Sequence, residues 1–117
     1  MQVRSSSGNR RVGEDERLDA VFHALGDRTR RALLARLARR PARVTELAKP
    51  FAMSLPAVSR HIRVLEAAGL VARRVDGRVH QCSLDAQPLH AVQQWLSFYR
   101  HFWQANLESL ARHVQKE

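Results

Sequence analysis

Residues 54–70 read "SLPAVSRHIRVLEAAGL", and the reading of this stretch decides the fold. Ser54 suits a helix N-cap, and Pro56 falls in the first turn, where backbone N–H groups have no internal partner. Gly69 accepts the left-handed conformation that closes a helix. Between these ends, Leu55, Val58, Ile62 and Leu65 recur at helical spacing and form an apolar stripe. Pro56, Ser59, Arg60 and Arg63 stand at i, i+3, i+4 and i+7 and share another face. Such a helix is either a wetted surface element or one whose polar face meets a ligand. Its flanks decide between the two.

Upstream, "RVTELAKPFAM" predicts a short helix with Leu47, Ala48 and Phe51 apolar, kinked or shortened by Pro50. Before it, "RTRRALLARLARR" predicts a helix capped by Asp27, with Leu33, Leu34 and Leu37 inward and Pro41 ending it. The segment "RLDAVFHALG" places Leu18, Val21, Phe22 and Leu25 on an earlier helix that stops at Gly26. Downstream, residues 71–84 alternate and turn at Asp76-Gly77, which predicts two strands joined by a two-residue hairpin. Asp85 and Pro88 then open one long final helix, with Leu89, Val92, Leu96, Tyr99, Trp103, Leu110 and Val114 at three-four spacing.

The order is helix, helix, short helix, helix, hairpin, long helix. The expected fold is mainly α with a small β-hairpin: a winged helix-turn-helix of about five helices plus a two-stranded wing. Residues 1–14 are polar and aperiodic and predict a disordered basic N-terminal arm, leaving 15–117 as a DNA-binding and dimerisation domain.

With 117 residues there is room for one domain. Lys and Arg number 20 against 11 for Asp and Glu, a net charge of +9 that suits a polyanion, nucleic acid before an acidic membrane. The single cysteine, Cys82, allows no internal disulfide and fits a reducing cytoplasm. No apolar run reaches the roughly 18–20 residues of a bilayer span, and no hydrophobic segment follows the N-terminal charges. A cytoplasmic chain without a membrane partner is expected. There is no phosphate-binding Gly-rich loop, no H-E-x-x-H and no nucleophile motif, so neither catalytic residues nor a cofactor are expected.

A major groove about 12 Å wide admits one helix. Residues 54–68 would fill it, with Ser54, Leu55, Pro56, Ser59 and Arg60 towards the bases and Arg63 towards a phosphate. Arg60 suits guanine O6 and N7, a pairing worth about 1–3 kcal/mol of discrimination. The hairpin at 71–84 would serve as the wing, with Arg73, Arg74 and Arg78 flanking its turn and Arg74 and Arg78 gripping the backbone. On the last helix, Trp95, Phe98 and Phe102 add to the stripe more apolar surface than one small domain covers, which marks a partner surface.

The segments "ALGDRTRRALLARL", "VTELAKPFAMSLPAVSRHIRVLEAAGLV" and "DGRVHQCSLD" resemble the ArsR-type winged helix-turn-helix repressors of bacteria. The ending "WLSFYRHFWQANLESLARHV" is similar to the branch with a Tyr-Arg-x-Phe-Trp signature and no recognised metal site. The resemblance implies a homodimer that binds a roughly palindromic operator, often its own promoter, and represses transcription. It puts the reading contacts on Leu55, Pro56, Ser59 and Arg60, and the wing contacts around residues 76–78. It places dimerisation on the first and last helices, here Leu18, Phe22, Leu96, Tyr99, Trp103 and Leu110. Whether a small-molecule effector exists stays open.

Many relatives of this type sense metal, so that is the alternative mechanism. The cysteine pair known near the third helix is absent here. Of the last-helix site, only His90 and His101 match, with Pro88 and Gln104 at the other two positions. On one continuous helix these histidines would share a face but stand about 16 Å apart, and zinc wants about four good ligands. No metal is expected. The alternative of a different class is a protein- or RNA-interaction module. RNA readers expose aromatics for stacking, whereas six of the seven aromatics here, all but Phe51, lie on the first or last helix.

Overall fold

A computed structural model describes residues 6–116, with side chains described from residue 13 to residue 114. In chain order the elements are α1 (Ser6–Leu25), α2 (Arg28–Leu37), β1 (Ala42–Arg43), α3 (Val44–Ala48), α4 (Leu55–Ala67), β2 (Val71–Asp76), β3 (Val79–Leu84), α5 (Gln87–Ser97) and α6 (Arg100–Lys116). The fold is a winged helix-turn-helix, mostly helical, with six helices among the described residues rather than about five. Helix α1 takes in residues 6–14 of the segment expected as an arm; residues 1–5 lie outside the described residues.

Local chemistry sets the boundaries. Asp27 caps α2 by accepting from the Thr29 and Arg30 N–H groups at 2.8 and 3.1 Å. The Arg30 bond comes first among the causes that hold the Asp27 carboxyl below its ordinary value. Helix α3 stops at Ala48, before Pro50, as the missing donor requires. Ser54 caps α4 through Oγ, which accepts from Ala57 N–H at 3.2 Å. Gly69, at φ +77°, ends that helix. The Leu70 N–H donates to Leu65 O and the Gly69 N–H to Glu66 O, both at 2.9 Å, the paired bonds of a Schellman stop. Gly26 follows α1 without a positive φ; a Cβ there would stand 3.3 Å from His23 O.

Two sequence expectations need correction. The hairpin register pairs Asp76 with Val79, so the turn residues are Gly77 and Arg78 rather than Asp76 and Gly77. Only Gly77 has positive φ, at +62°, which fits a turn with glycine at its first central position. The final helix is not continuous. Phe98 N–H bonds Trp95 O and Tyr99 N–H bonds Leu96 O, tightened i→i−3 contacts that end α5. The Ser97 hydroxyl also donates to Gln94 O at 2.6 Å, competing for a helix carbonyl.

The two strands of the wing are joined in one sheet by a third, short strand that the sequence reading does not place. β1 pairs antiparallel with β3, giving the order β1-β3-β2, with Ala42 opposite Cys82 and Arg43 opposite Gln81. The core gathers Val21 and Ala24 of α1, Leu33, Leu34 and Leu37 of α2, Leu47 of α3, and Val58, Ile62 and Leu65 of α4. Cys82 is fully buried in it, and burial pushes its thiol pKa up. Every described side chain from residue 93 to residue 114 is exposed. The radius of gyration of 19.1 Å accordingly exceeds the about 13 Å of a compact chain of this size.

Candidate nucleic-acid interface

Helix α4 is anchored by Val58, Ile62 and Leu65, each 0% exposed. Leu55 shares their angular stripe but lies one turn earlier, past the edge of the core, and is 45% exposed. It is therefore not one of the anchoring residues, and it remains available at the start of the outer face. Ser54, Pro56, Arg60 and Arg63 are exposed as well, and Ser59 is half-buried. Ser54 has already spent its oxygen as the cap acceptor, leaving its O–H free to donate.

The arginines divide into two groups. Arg60, Arg63, Arg74 and Arg78 are exposed and make no side-chain hydrogen bond or ion pair among the described residues. Arg73 is the exception on the wing. Its Nη2 and Nε meet Glu66 Oε1 and Oε2 at 2.7 and 3.2 Å, and its Nη1 lies 3.1 Å from His80 Nδ1. This bidentate pair, the only ion pair among the described residues, clamps the end of α4 to the wing and removes Arg73 from the free cations.

A similar clamp holds the other side of α4. Arg30 donates to Ala24 O at 2.7 Å and His23 O at 2.9 Å, capping the end of α1, and its Nη1 lies 3.2 Å from His61 Nδ1. His61 is thereby turned towards α2 and away from the outer face. Arg31 donates to Leu25 O at 2.7 Å. Sequence reasoning missed both clamps, because their partners lie on other elements.

Between α3, α4 and the wing lies an open cleft of about 320 Å³. Leu55 and Ser59 line it from α4, Arg73, Arg78, Val79 and His80 from the wing, and Arg43, Val44 and Thr45 from β1 and α3. Helix α4 and the hairpin thus border one cleft, together with Arg43 and Thr45, which the sequence reading does not name. Arg74 and Arg60 do not line it.

The expected partner surface is split by the helix break. Phe22 of α1 meets Trp95 edge-on with ring centroids 5.4 Å apart, and Trp95 meets Tyr99 at 5.1 Å. Leu18 is half-buried and Leu96 exposed beside them. Trp103 and Leu110 stand further out on α6, both more than half exposed. His90 and His101 fall on different helices, so the single-helix geometry expected for them does not hold. Among the described residues, no group of three or more His, Cys, Asp or Glu is placed so that it could hold a metal ion. None of the helices there is long and apolar enough to cross a membrane.

Known proteins match this arrangement. A helix-turn-helix domain family matches residues 25–74. The HTH-type transcriptional regulator Rv2034 of Mycobacterium tuberculosis is 39% identical over 99 residues, 85% of this chain and 90% of that protein. The crystal structure of an ArsR family transcriptional regulator, RHA00566, is similar at a TM-score of 0.72 and 46% identity, over 77% of this chain and 93% of that one. The solution structure of the homodimeric winged helix-turn-helix DNA-binding domain of Mb0332 from Mycobacterium bovis shares the fold at 23% identity and a TM-score of 0.61, over 86% and 93% of the two chains.

Proposed function

Because this chain belongs to the ArsR family of helix-turn-helix transcriptional regulators, we propose that it is a cytoplasmic, non-enzymatic homodimer that represses transcription by binding a roughly palindromic operator, its own promoter included. Helix α4 lies in the major groove and the β2–β3 hairpin on the adjacent backbone. Ser54, Leu55, Pro56, Ser59 and Arg60 read base edges, and Arg63, Arg74 and Arg78 neutralise phosphates.

One observation carries this reading: four arginines on α4 and the wing stay unpaired and exposed among the described residues, while the remaining wing arginine, Arg73, is neutralised internally. A merely solvated basic surface gives no reason for that division. Each phosphate contact releases counterions, so affinity falls steeply with salt.

The dimer is supported by apolar side chains that stay more than half exposed among the described residues: Phe98, Phe102, Trp103, Leu107 and Leu110 among them. The Mb0332 domain, of the same fold, is homodimeric. Leu18, Phe22, Leu96, Tyr99, Trp103 and Leu110 would meet the partner copy, and two-fold symmetry would set the reading helices about 34 Å apart on successive major grooves.

Footprinting on DNA immediately upstream of the coding region tests the proposal. Two protected segments one helical turn apart, with binding lost on a scrambled duplex, are the expected result. Equal affinity for specific and scrambled duplexes would remove the reading roles.

A further inference from the structure

The two arginine clamps on α4 answer differently to a proton. Arg73 holds Glu66 through two charged hydrogen bonds, at 2.7 and 3.2 Å, and its contact with His80 is a third. Losing that third contact leaves the ion pair in place. On the opposite side of α4, the contact from the Arg30 guanidinium to the helix is with His61, Nη1 to Nδ1 at 3.2 Å. Its other two bonds run to α1, to Ala24 O at 2.7 Å and His23 O at 2.9 Å. One guanidinium therefore joins the end of α1 to the middle of the reading helix, and one imidazole nitrogen closes the join.

That nitrogen has to be bare. A guanidinium only donates, so Nδ1 accepts and the ring is neutral, with its proton on Nε2. Protonation turns Nδ1 into a donor, ends the bond and sets two cations against each other. Histidine is the side chain whose charge changes between about pH 5 and 8, and His61 is half-buried, so water reaches it. The charged groups around His61 come from the start of α2: Arg30 itself and the Asp27 carboxylate, which interacts with both. The α4 residues one turn away, Ala57, Val58, Val64 and Leu65, carry no charge. From α1 come the two carbonyl oxygens that Arg30 already holds, while the His23 side chain is exposed. A protonated His61 is thus repelled by Arg30 and drawn to Asp27, which pulls the ring off the clamp.

We propose that Arg30 and His61 are a positioning pair that fixes the reading helix against α1 while His61 is neutral and releases it on acidification. In the reading above, α1 carries part of the dimer interface, and half-sites on successive grooves require both reading helices to keep one angle to it. Only the unclamped form takes a proton on Nδ1, so falling pH draws molecules out of the DNA-binding geometry. The coupling rests on the DNA-binding reading and adds regulation to it; neither residue is assigned a DNA contact.

Fluorescence anisotropy of the full chain on specific and scrambled duplexes, at about pH 8 and about pH 5.5 and constant ionic strength, tests the coupling. Taking the ratio of the two affinities cancels the general gain that added positive charge brings in acid. In the parent that ratio should fall roughly tenfold on acidification, the size of one hydrogen bond to a charged group. His61→Asn puts an amide oxygen where Nδ1 stands and takes no proton in this range, so its ratio should be the same at both pH values. His61→Leu offers no acceptor and should show a reduced ratio at both. His80→Gln, whatever its ratio at the higher pH, should keep the parent's fall, because Glu66 holds Arg73 without it. Far-ultraviolet spectra and sedimentation should show the same folded dimer throughout. A parent ratio unchanged in acid, an equal fall in His61→Asn, a fall abolished by His80→Gln, or a fall that accompanies loss of helix or dimer overturns the coupling and leaves the DNA-binding reading intact. A parent that does not distinguish the two duplexes even at the higher pH overturns both.

Discussion

Ile62 and Leu110 are both aliphatic residues on an apolar helical stripe, yet Ile62 is 0% exposed and Leu110 is 59% exposed. The difference separates two regions of the molecule. Around α4, the stripe from Val58 onward finds a facing surface within the chain: Val58, Ile62 and Leu65 meet α2, α3 and the wing, and the polar stripe is left to the outside. Along α5 and α6, only Leu89 and Val92 reach that core, and everything beyond Val92 is exposed. The body is thus a finished unit with an open polar face, whereas the last helices leave their apolar side chains exposed. On this account DNA binding belongs to the first region and assembly to the second, and substitutions should divide accordingly.

The largest effect is expected in the body. Ile62→Ala should lower unfolding stability by about 2–5 kcal/mol, since a fully buried side chain leaves a cavity; denaturant titration at two protein concentrations should find nearly the same loss at both. On α6, Trp103→Ala should act in the opposite pattern. It should raise the dimer dissociation constant by about tenfold or more, as truncating an aromatic anchor does, while spectra of dilute protein stay unchanged. A stability loss independent of concentration would place Trp103 in the body's core and dissolve the contrast.

On the open face, Arg60→Ala should cost about 1–3 kcal/mol at the preferred duplex and relax choice at one base step, with dimer mass unaffected. Identical affinities of parent and variant on specific and random duplexes would take Arg60 off the reading face. Ser54→Ala should cost about 1 kcal/mol of stability through the lost cap on α4, which thermal unfolding measures. The smallest effect concerns Asp27. Its carboxyl is held below the ordinary 3.8, so its contribution to stability is present above that value and fades as pH falls below it. The difference in melting temperature between parent and Asp27→Ala should therefore be constant near neutrality and shrink below about pH 4.

What the sequence made legible was local. The caps at Asp27 and Ser54, the stop at Gly69 and the α4 stripe follow from chemistry within four residues of each other, and the structure reproduces them. The hairpin was legible to within one residue, because Asp-Gly marks a turn but not which pair of residues spans it. The break after Ser97 was not legible: it contains neither proline nor glycine, and its hydrogen bonds alone reveal it. β1, two residues long, has no period to read; it exists through its ladder with β3. Of the candidate interface, spacing gave the α4 face, but Leu55 needed the edge of the core to be known. The fates of Arg30 and Arg73 needed their partners on α1 and α4, and nothing in an arginine's own neighbourhood tells a free guanidinium from a clamped one.

Sedimentation equilibrium of the full chain across a wide concentration range bears most directly on the contrast between a finished body and an unfinished pair of helices. The expected result is a mass twice the 13.4 kDa of one chain, halving only on dilution and at lower dilution for Trp103→Ala. A 13.4 kDa species persisting at high concentration, with α5 and α6 still folded, would contradict the account.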